Sequence, residues 1–442
     1  MASPVKLVTL AFLSFHPNAM PWLARANYAR ELRAAFFLPW AIAATEGGVI
    51  GFIVRKLYED VIDDRTLNYF AGALIAAPAL ANITSFLWAI LAHGKRKVPF
   101  ITALQLGVLI SIALMALAPR TPGGLIMLVA AAFSARILLA GIVTIRATIW
   151  GVNYPAQRAK LTGKLQTVSV TISSLIAIGL GAAMQYNENA YRILIPIGGL
   201  VALAGVSSYA RIRLRSERSI LKNEQEQTEA DNKTSILSGF KVLKEDKSYR
   251  AYQICQLLLG FGNIMSWTPF VIMAKQQFDV GYLQGILLTQ VIPLMMMPFT
   301  IPLWAKLIDS VHIIQFRAFH SWIFVGSMVC ALAAGLTGSI EYLFAASILR
   351  GIAFGGGALA WNLGHLQFVK AEKSQDYMSI HVTLTGLRGL TAPFAGVALY
   401  NYLEHQQAGA GAYTFVVTLA ITTCGALGFY YLYTRLRSGR KE

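Results

Sequence analysis

Twelve apolar runs, each close to the length that crosses a bilayer as a helix, set the terms on which this chain can fold. About 30 Å of hydrocarbon needs roughly 20 helical residues. The runs lie at 35–54, 68–92, 99–118, 124–150, 164–185, 191–210, 251–274, 281–305, 316–337, 341–364, 378–401 and 411–434. At that depth every backbone N–H and C=O must pair within its own segment, so the runs are predicted as helices. Of the 442 residues, 56% are hydrophobic and 13% charged, with a mean hydropathy of +0.54. A globular domain carries about 25% charged residues. This chain cannot cover a core with polar surface, so lipid is its expected solvent.

A net charge of +17 suggests nucleic acid until it is mapped. With the N-terminus inside, most Lys and Arg fall in inside segments, and the outside loops keep only Arg55, Lys56, Arg65, Arg120, Arg192 and Lys275. The excess therefore reads as topology, with both termini cytoplasmic in a multi-pass protein of a bacterial inner membrane. No nucleic-acid partner is expected. Cys255, Cys330 and Cys424 lie within apolar runs and read as packing residues, not a disulfide framework.

The longest polar stretch divides six runs from six. The expected organisation is a cytoplasmic arm at 1–34, a six-helix bundle at 35–210, a central loop at 211–250, a second bundle at 251–434 and a tail at 435–442. Lys6 followed by "LVTLAFLSF" has a faint signal-peptide shape, although Pro17 and Pro21 favour an interfacial arm. Ile236, Phe240 and Leu243 have helical spacing and predict a surface helix leading into the seventh run.

The two bundles are related. "LWAILAHGKRKVPF" at 87–100 has an echo, "LWAKLIDSVHIIQF", at 303–316, and the Arg-x4-Gly of Arg136 and Gly141 recurs as Arg350 and Gly355. Parallel repeats of this kind build transporters whose site lies between the halves near the bilayer midplane.

At this point the chain resembles the major facilitator superfamily. Trp88-Ala89-Ile90-Leu91-Ala92-His93 followed by Gly94, Lys95, Arg96 and Lys97 is similar to that family's loop between spans 2 and 3, with His93 where the family has Asp. The second copy keeps Trp304 and the acid, Asp309, but lacks the basic tail. Arg136 is similar to the family's span-4 arginine, and "YPAQRAKLTG" at 154–163 resembles its loop between spans 4 and 5. The resemblance implies an all-α membrane protein of twelve transmembrane helices in two pseudo-symmetric bundles, working by alternating access.

Charged side chains deep in a membrane are costly and mark function or pairing. Glu46, Arg136, Arg146, Arg350 and Arg388 fall inside the expected spans, and Glu46 is the one mid-span carboxylate the runs contain. A carboxylate in low dielectric gains affinity for a proton, and a neighbouring Arg removes it. Glu46 with Arg136 is therefore the expected proton-coupling pair, a permanent ion pair that fixes packing being the alternative. His381, Thr385 and Arg388 share one helical face, as do Gln256 and Asn263 in the seventh run. With Arg350 they form the candidate substrate site, and buried cations beside amides suit an organic anion. His320, His365 and His381 show no metal-ligand spacing, and no P-loop is present. No metal, cofactor or enzyme activity is expected.

The expected function is a monomeric, proton-coupled secondary transporter of a small organic anion. Efflux of apolar or cationic compounds, or a non-transporting receptor or scaffold, are the alternatives. The motif loops are expected to act as gates that latch the outward-open state and part as the halves rock: Asp309 against Arg158, Lys160 and Lys164, and Lys95, Arg96 and Lys97 against Glu372 and Asp376.

Overall fold

A computed structural model describes residues 13–154, 158–226, 242–368 and 374–438. The spanning helices are α1 (Trp22–Leu57), α2 (Asp64–Asn82 continuing as Ser85–Ala92), α3 (Lys97–Ala116), α4 (Pro122–Asn153), α5 (Arg158–Tyr186), α6 (Tyr191–Ala210), α7 (Lys247–Gln276), α8 (Tyr282–Ser310), α9 (Ile313–Thr337), α10 (Glu341–Leu363), α11 (Ser374–Gln406) and α12 (Thr414–Ser438). Eleven of them are long and apolar enough to span by themselves. The twelfth is α2, whose first turns carry Asp64, Arg65 and Asn68 and whose helix is interrupted at Ile83–Thr84. A linker helix, Glu217–Glu226, follows α6. Most of the surface helix expected around Ile236 and Phe240 lies outside the described residues.

Packing repeats with a shift of six helices. In the first half α3 packs on α4, α2 on α4, α3 on α6 and α1 on α6; in the second, α9 packs on α10, α8 on α10, α9 on α12 and α7 on α12. The halves meet through α2 against α11 and α5 against α8. Those two contacts exchange under the same shift, as a pseudo-two-fold axis between the bundles requires.

One face of the molecule carries the beginning of α1 and the end of α6, tied where the Asn27 side chain donates to the Arg213 carbonyl at 2.8 Å. We call it the near face. At the opposite, far face the halves are bonded together. Asn68 donates to Asn401 at 2.7 Å, Gln276 to Asp64 at 3.1 Å and Tyr282 to Glu188 at 3.2 Å. Lys275 pairs with Glu59 at 2.9 Å and also holds Asp279, whose carboxyl it draws below the usual range by hydrogen bonding. The far side is thus closed.

Besides α2, α1 and α7 are interrupted and α8 is irregular, and these features place the site. Glu46 leaves the helical region (φ −61°, ψ 133°) between a short 3₁₀ turn, Ala43–Thr45, and the helix resuming at Gly47. The expected uniform helix over 35–54 is therefore two pieces, and the first begins earlier, at Trp22. Glu31 becomes a buried residue of that first piece, 3% exposed, so Glu46 is not the lone carboxylate of the bundle. In the second half α7 breaks at Ser266, between Lys247–Met265 and Trp267–Gln276. The start of α8 contains a π-helical turn, Leu287–Val291. Discontinuous helices are tolerated at membrane depth only where protein or a cavity satisfies the freed backbone.

Candidate functional site

The break at Glu46 exposes the Thr45 carbonyl, which has no helical partner there. Arg136 of α4, 9% exposed, supplies one. Its guanidinium Nε donates to Thr45 O at 2.8 Å, Nη2 also reaches that oxygen, and Nη2 lies 3.1 Å from Glu46 Oε2. One cation thus satisfies a backbone acceptor and a carboxylate together. Glu46 and Arg136, expected to be partners, are brought together.

Glu46 has a second exposure. It lines a chamber of about 210 Å³ between the halves, with Gly48, Trp267, Thr289, Gln290 and Arg350. The halves come close here: Thr289 Oγ1 donates to the Gly48 carbonyl at 2.9 Å. A Cβ on Gly48 would lie 2.6 Å from Gln290 Oε1 and 2.7 Å from Thr289 O, so only glycine permits the approach. Arg350, 4% exposed, places its guanidinium 4.6 Å from the centre of the Phe270 ring, and its Nε and Nη2 are buried without partners.

A larger chamber of about 380 Å³ adjoins this one, sharing Ile75, Pro78, Trp267 and Phe354 with it. Its polar lining is Asn82, Gln256, Asn263, Arg317, Trp361, Thr385 and Arg388. Arg317 near the start of α9 and Trp361 near the end of α10 put it toward the near face. Arg388 donates from Nη1 to the Gln256 carbonyl at 2.9 Å and from Nη2 to Thr385 Oγ1 at 3.3 Å. Its guanidinium crosses α7 directly over Gly260, where a Cβ would fall 2.0 Å from Nη1. His381 is not part of the lining; its ring bonds Gln253 Oε1 at 3.2 Å and sits against Trp361. Arg350, Arg388, Thr385, Gln256 and Asn263 therefore gather around adjoining chambers, with His381 behind them.

Sequence reasoning missed Arg317, which the expected boundary at 316 leaves at the membrane edge. In the fold α9 begins at Ile313 and Arg317 is 2% exposed. Its Nη1 lies 3.3 Å from His320 Nδ1, while His320 Nε2 lies 2.9 Å from the Ala353 carbonyl. A guanidinium only donates and a carbonyl only accepts, so His320 is neutral with its proton on Nε2. Among the described residues, Arg317, Arg350 and Arg388 have no carboxylate within ion-pair distance.

Arg146 is likewise placed by an aromatic. Its guanidinium lies 4.4 Å from the Trp150 ring centre, and Trp150 Nε1 donates to Glu31. This cluster is inside the first half, away from the chambers.

The first motif loop meets the linker helix. Lys97 Nζ pairs with Glu224 of the linker helix at 2.8 Å, the Gly94 N–H donates to the same Oε2 at 2.8 Å, and His93 Nε2 meets the Glu224 carbonyl at 2.6 Å. Arg96 reaches Glu217 at 3.4 Å, and Lys95 lies over the Phe100 ring. In this structure the basic tail is therefore held by the linker. Glu224 takes the place of the acid that the loop lacks at His93, a partner too distant in sequence for any motif to reveal. Glu372 and the Asp376 side chain lie outside the described residues, as do the side chains of Arg158 and Lys160. Asp309 is exposed and has no ion pair among the described residues. Trp304 donates to the Ile352 carbonyl at 2.9 Å, and Trp88 packs on Phe100 and Gly141.

This architecture can be set beside known proteins. The sequence model of the Major Facilitator Superfamily matches residues 34–393. The chain belongs to this superfamily. Among solved structures, a D-xylose-proton symporter superposes with a TM-score of 0.69 at 14% identity, covering 92% of this chain and 97% of that one. The nucleoside transporter NupG gives 0.67 at 13% identity, covering 92% and 99%. A peptide transporter, POT, gives 0.64 at 16% identity, covering 91% and 94%. At such identities the likeness is one of fold. No curated relative matches the chain. This superfamily member is a multi-pass integral membrane protein and a secondary transporter of small solutes, not an enzyme.

Proposed function

We propose that the protein is a proton-coupled transporter of an organic anion, with Glu46 exchanging the proton and Arg350 and Arg388 contacting the solute. The observation that carries this reading is the charge imbalance at the chambers: Arg317, Arg350 and Arg388 face them without carboxylates of their own, and Glu46 is the one acid among the lining residues. A solute that brings negative charge is stabilised there, and a cation is repelled. That weighs against efflux of cationic compounds. Open chambers lined by polar side chains weigh against a scaffold locked by closed ion pairs.

Glu46 sits where a coupling acid is useful. One side of its carboxylate faces Arg136, the other faces the chamber. Protonation releases it from Arg136, while Arg136 keeps the Thr45 carbonyl, so the break in α1 stays fastened. Bonds across the far face and a chamber reaching toward the near face support a state open to the near side. Rocking of the halves would break the far-face bonds and bring the near-face loops together, where Asp309 can meet the start of α5. The near face, which carries the beginning of α1 and the end of α12, is read as cytoplasmic, in a bacterial inner membrane with a monomeric protein.

Reconstitution into proteoliposomes with an imposed pH gradient tests the coupling. Gradient-driven accumulation of an organic anion is expected from the wild type, and Glu46→Gln is expected to exchange solute without accumulating it. Wild-type accumulation by Glu46→Gln would remove Glu46 from the mechanism.

A further inference from the structure

We propose that the larger chamber takes a doubly negative head group, a phosphomonoester or a dicarboxylate, between Arg317 and Arg388, with a flat apolar body lying toward Trp267. The inference rests on the anionic-solute reading above and narrows it to a charge and a shape.

Charge comes first. Arg317 and Arg388 are 2% and 7% exposed and line one chamber, so two like charges face the same cavity. Guanidinium stays protonated at any working pH, so both charges are permanent. No acid lines this chamber, in contrast to the smaller one, which has Glu46. A single negative charge leaves one cation uncompensated in low dielectric, and a dianion balances both.

Unused hydrogen-bonding capacity points the same way. His320 meets one Arg317 nitrogen, and Gln256 O and Thr385 Oγ1 take two from Arg388. The Nε atoms of both arginines are buried without partners. Each such orphan donor is destabilising until something accepts from it. Two guanidinium forks around one cavity fit the oxygens of phosphate or paired carboxylates.

Shape follows from the walls. Trp267 packs edge-on against Phe354, with ring centres 5.6 Å apart. Phe354 in turn meets Phe324 at 6.2 Å, and Trp361 is fixed by its Nε1 donating to Thr385 Oγ1 at 3.3 Å. Trp267 Nε1 is buried and unpartnered. Rigid rings of this kind offer stacking area at small entropic cost, and Trp267 can donate one hydrogen bond to a polar atom on the solute's body. The two chambers together are within the size range of small-molecule sites.

The test uses the full-length protein in nanodiscs at about pH 7.5, where a phosphomonoester with its second pKa near 6 is a dianion. Calorimetry compares phenyl phosphate with methyl phenyl phosphate, and phthalate with benzoate. Within each pair the aromatic body is kept and one charge is removed. At least one dianion should bind about tenfold or more tighter than its partner, and the stronger pair identifies phosphate or dicarboxylate as the head group. Arg317→Gln and Arg388→Gln should each abolish the preference while leaving weak monoanion binding. Equal affinities within both pairs would overturn the inference and leave the anion reading standing. Binding of benzyl alcohol or phenyltrimethylammonium in place of every anion would overturn both. The wild-type comparison decides the matter even if a variant fails to fold.

Discussion

In the first half, the buried guanidinium of Arg136 is matched by Glu46 at 3.1 Å and by a freed carbonyl. In the second half, Arg317 leans on a neutral imidazole, Arg350 on the face of Phe270, and Arg388 on a carbonyl and a hydroxyl. The same six-helix plan thus holds buried charge in two ways. A matched cation is part of the framework, because removing either partner strands the other. A cation with neutral partners has its counter-charge still to come. The first arrangement suits a switch that must hold the bundle together while it works; the second suits a site that waits for a ligand.

Substitutions can break that contrast. The largest effect is expected at Arg136. Arg136→Ala leaves Glu46 and the Thr45 carbonyl unpaired together, and should cost on the order of 3–5 kcal/mol, read as a fall of many degrees in the thermal midpoint of the detergent-solubilised protein. Arg350→Met should do the opposite in the second half. It removes a charge that no carboxylate matches, so the midpoint should hold or rise while transport is lost. If Arg350→Met destabilises as much as Arg136→Ala, the division between framework and waiting cations is wrong.

Gly260→Ala is a gentler probe. Its Cβ would collide with the Arg388 guanidinium, pushing that group off the Gln256 carbonyl without altering any charge. A rise in the KM for uptake of about tenfold is expected, with folding kept and Glu46-dependent coupling intact. The smallest effect is expected at the linker. Glu224→Gln weakens the bonds to Lys97 and Gly94 and should cost about 1–2 kcal/mol. It should speed thiol labelling of a cysteine introduced near His93 by several-fold, with little change in solute affinity. Unchanged labelling would mean that the linker does not restrain the loop.

Helix count, duplication and superfamily were legible because all three rest on segment length and spacing, which lipid constrains tightly. Glu46 and Arg136 were legible as partners because both fall deep within apolar runs. Arg317 and Glu31 were not. Each sits near an expected boundary, and hydropathy places a boundary only to within a turn of helix. That turn separates a snorkelling surface charge from a buried one. The break at Glu46 was hidden for another reason: Gly47 and Gly51 fit close helix packing as well as they fit a discontinuity. Indeed a Cβ on Gly47 would lie 3.2 Å from the Ile75 backbone, so the close packing is there too. Glu224 could not have been assigned to His93 and Lys97, since their meeting depends on how the linker folds back.

The double use of Arg136 has an evolutionary consequence. Its bond to the Thr45 carbonyl belongs to the backbone, and every residue type at position 46 leaves that carbonyl in place. The break in α1 therefore keeps this fastening whatever side chain position 46 presents. If Glu46 couples the cycle as proposed, exchanging it for a residue that binds a different ion, or none, would change what powers the cycle without unfastening the break in α1. A lineage built on this scaffold could change its energy source by single substitutions and keep its machinery.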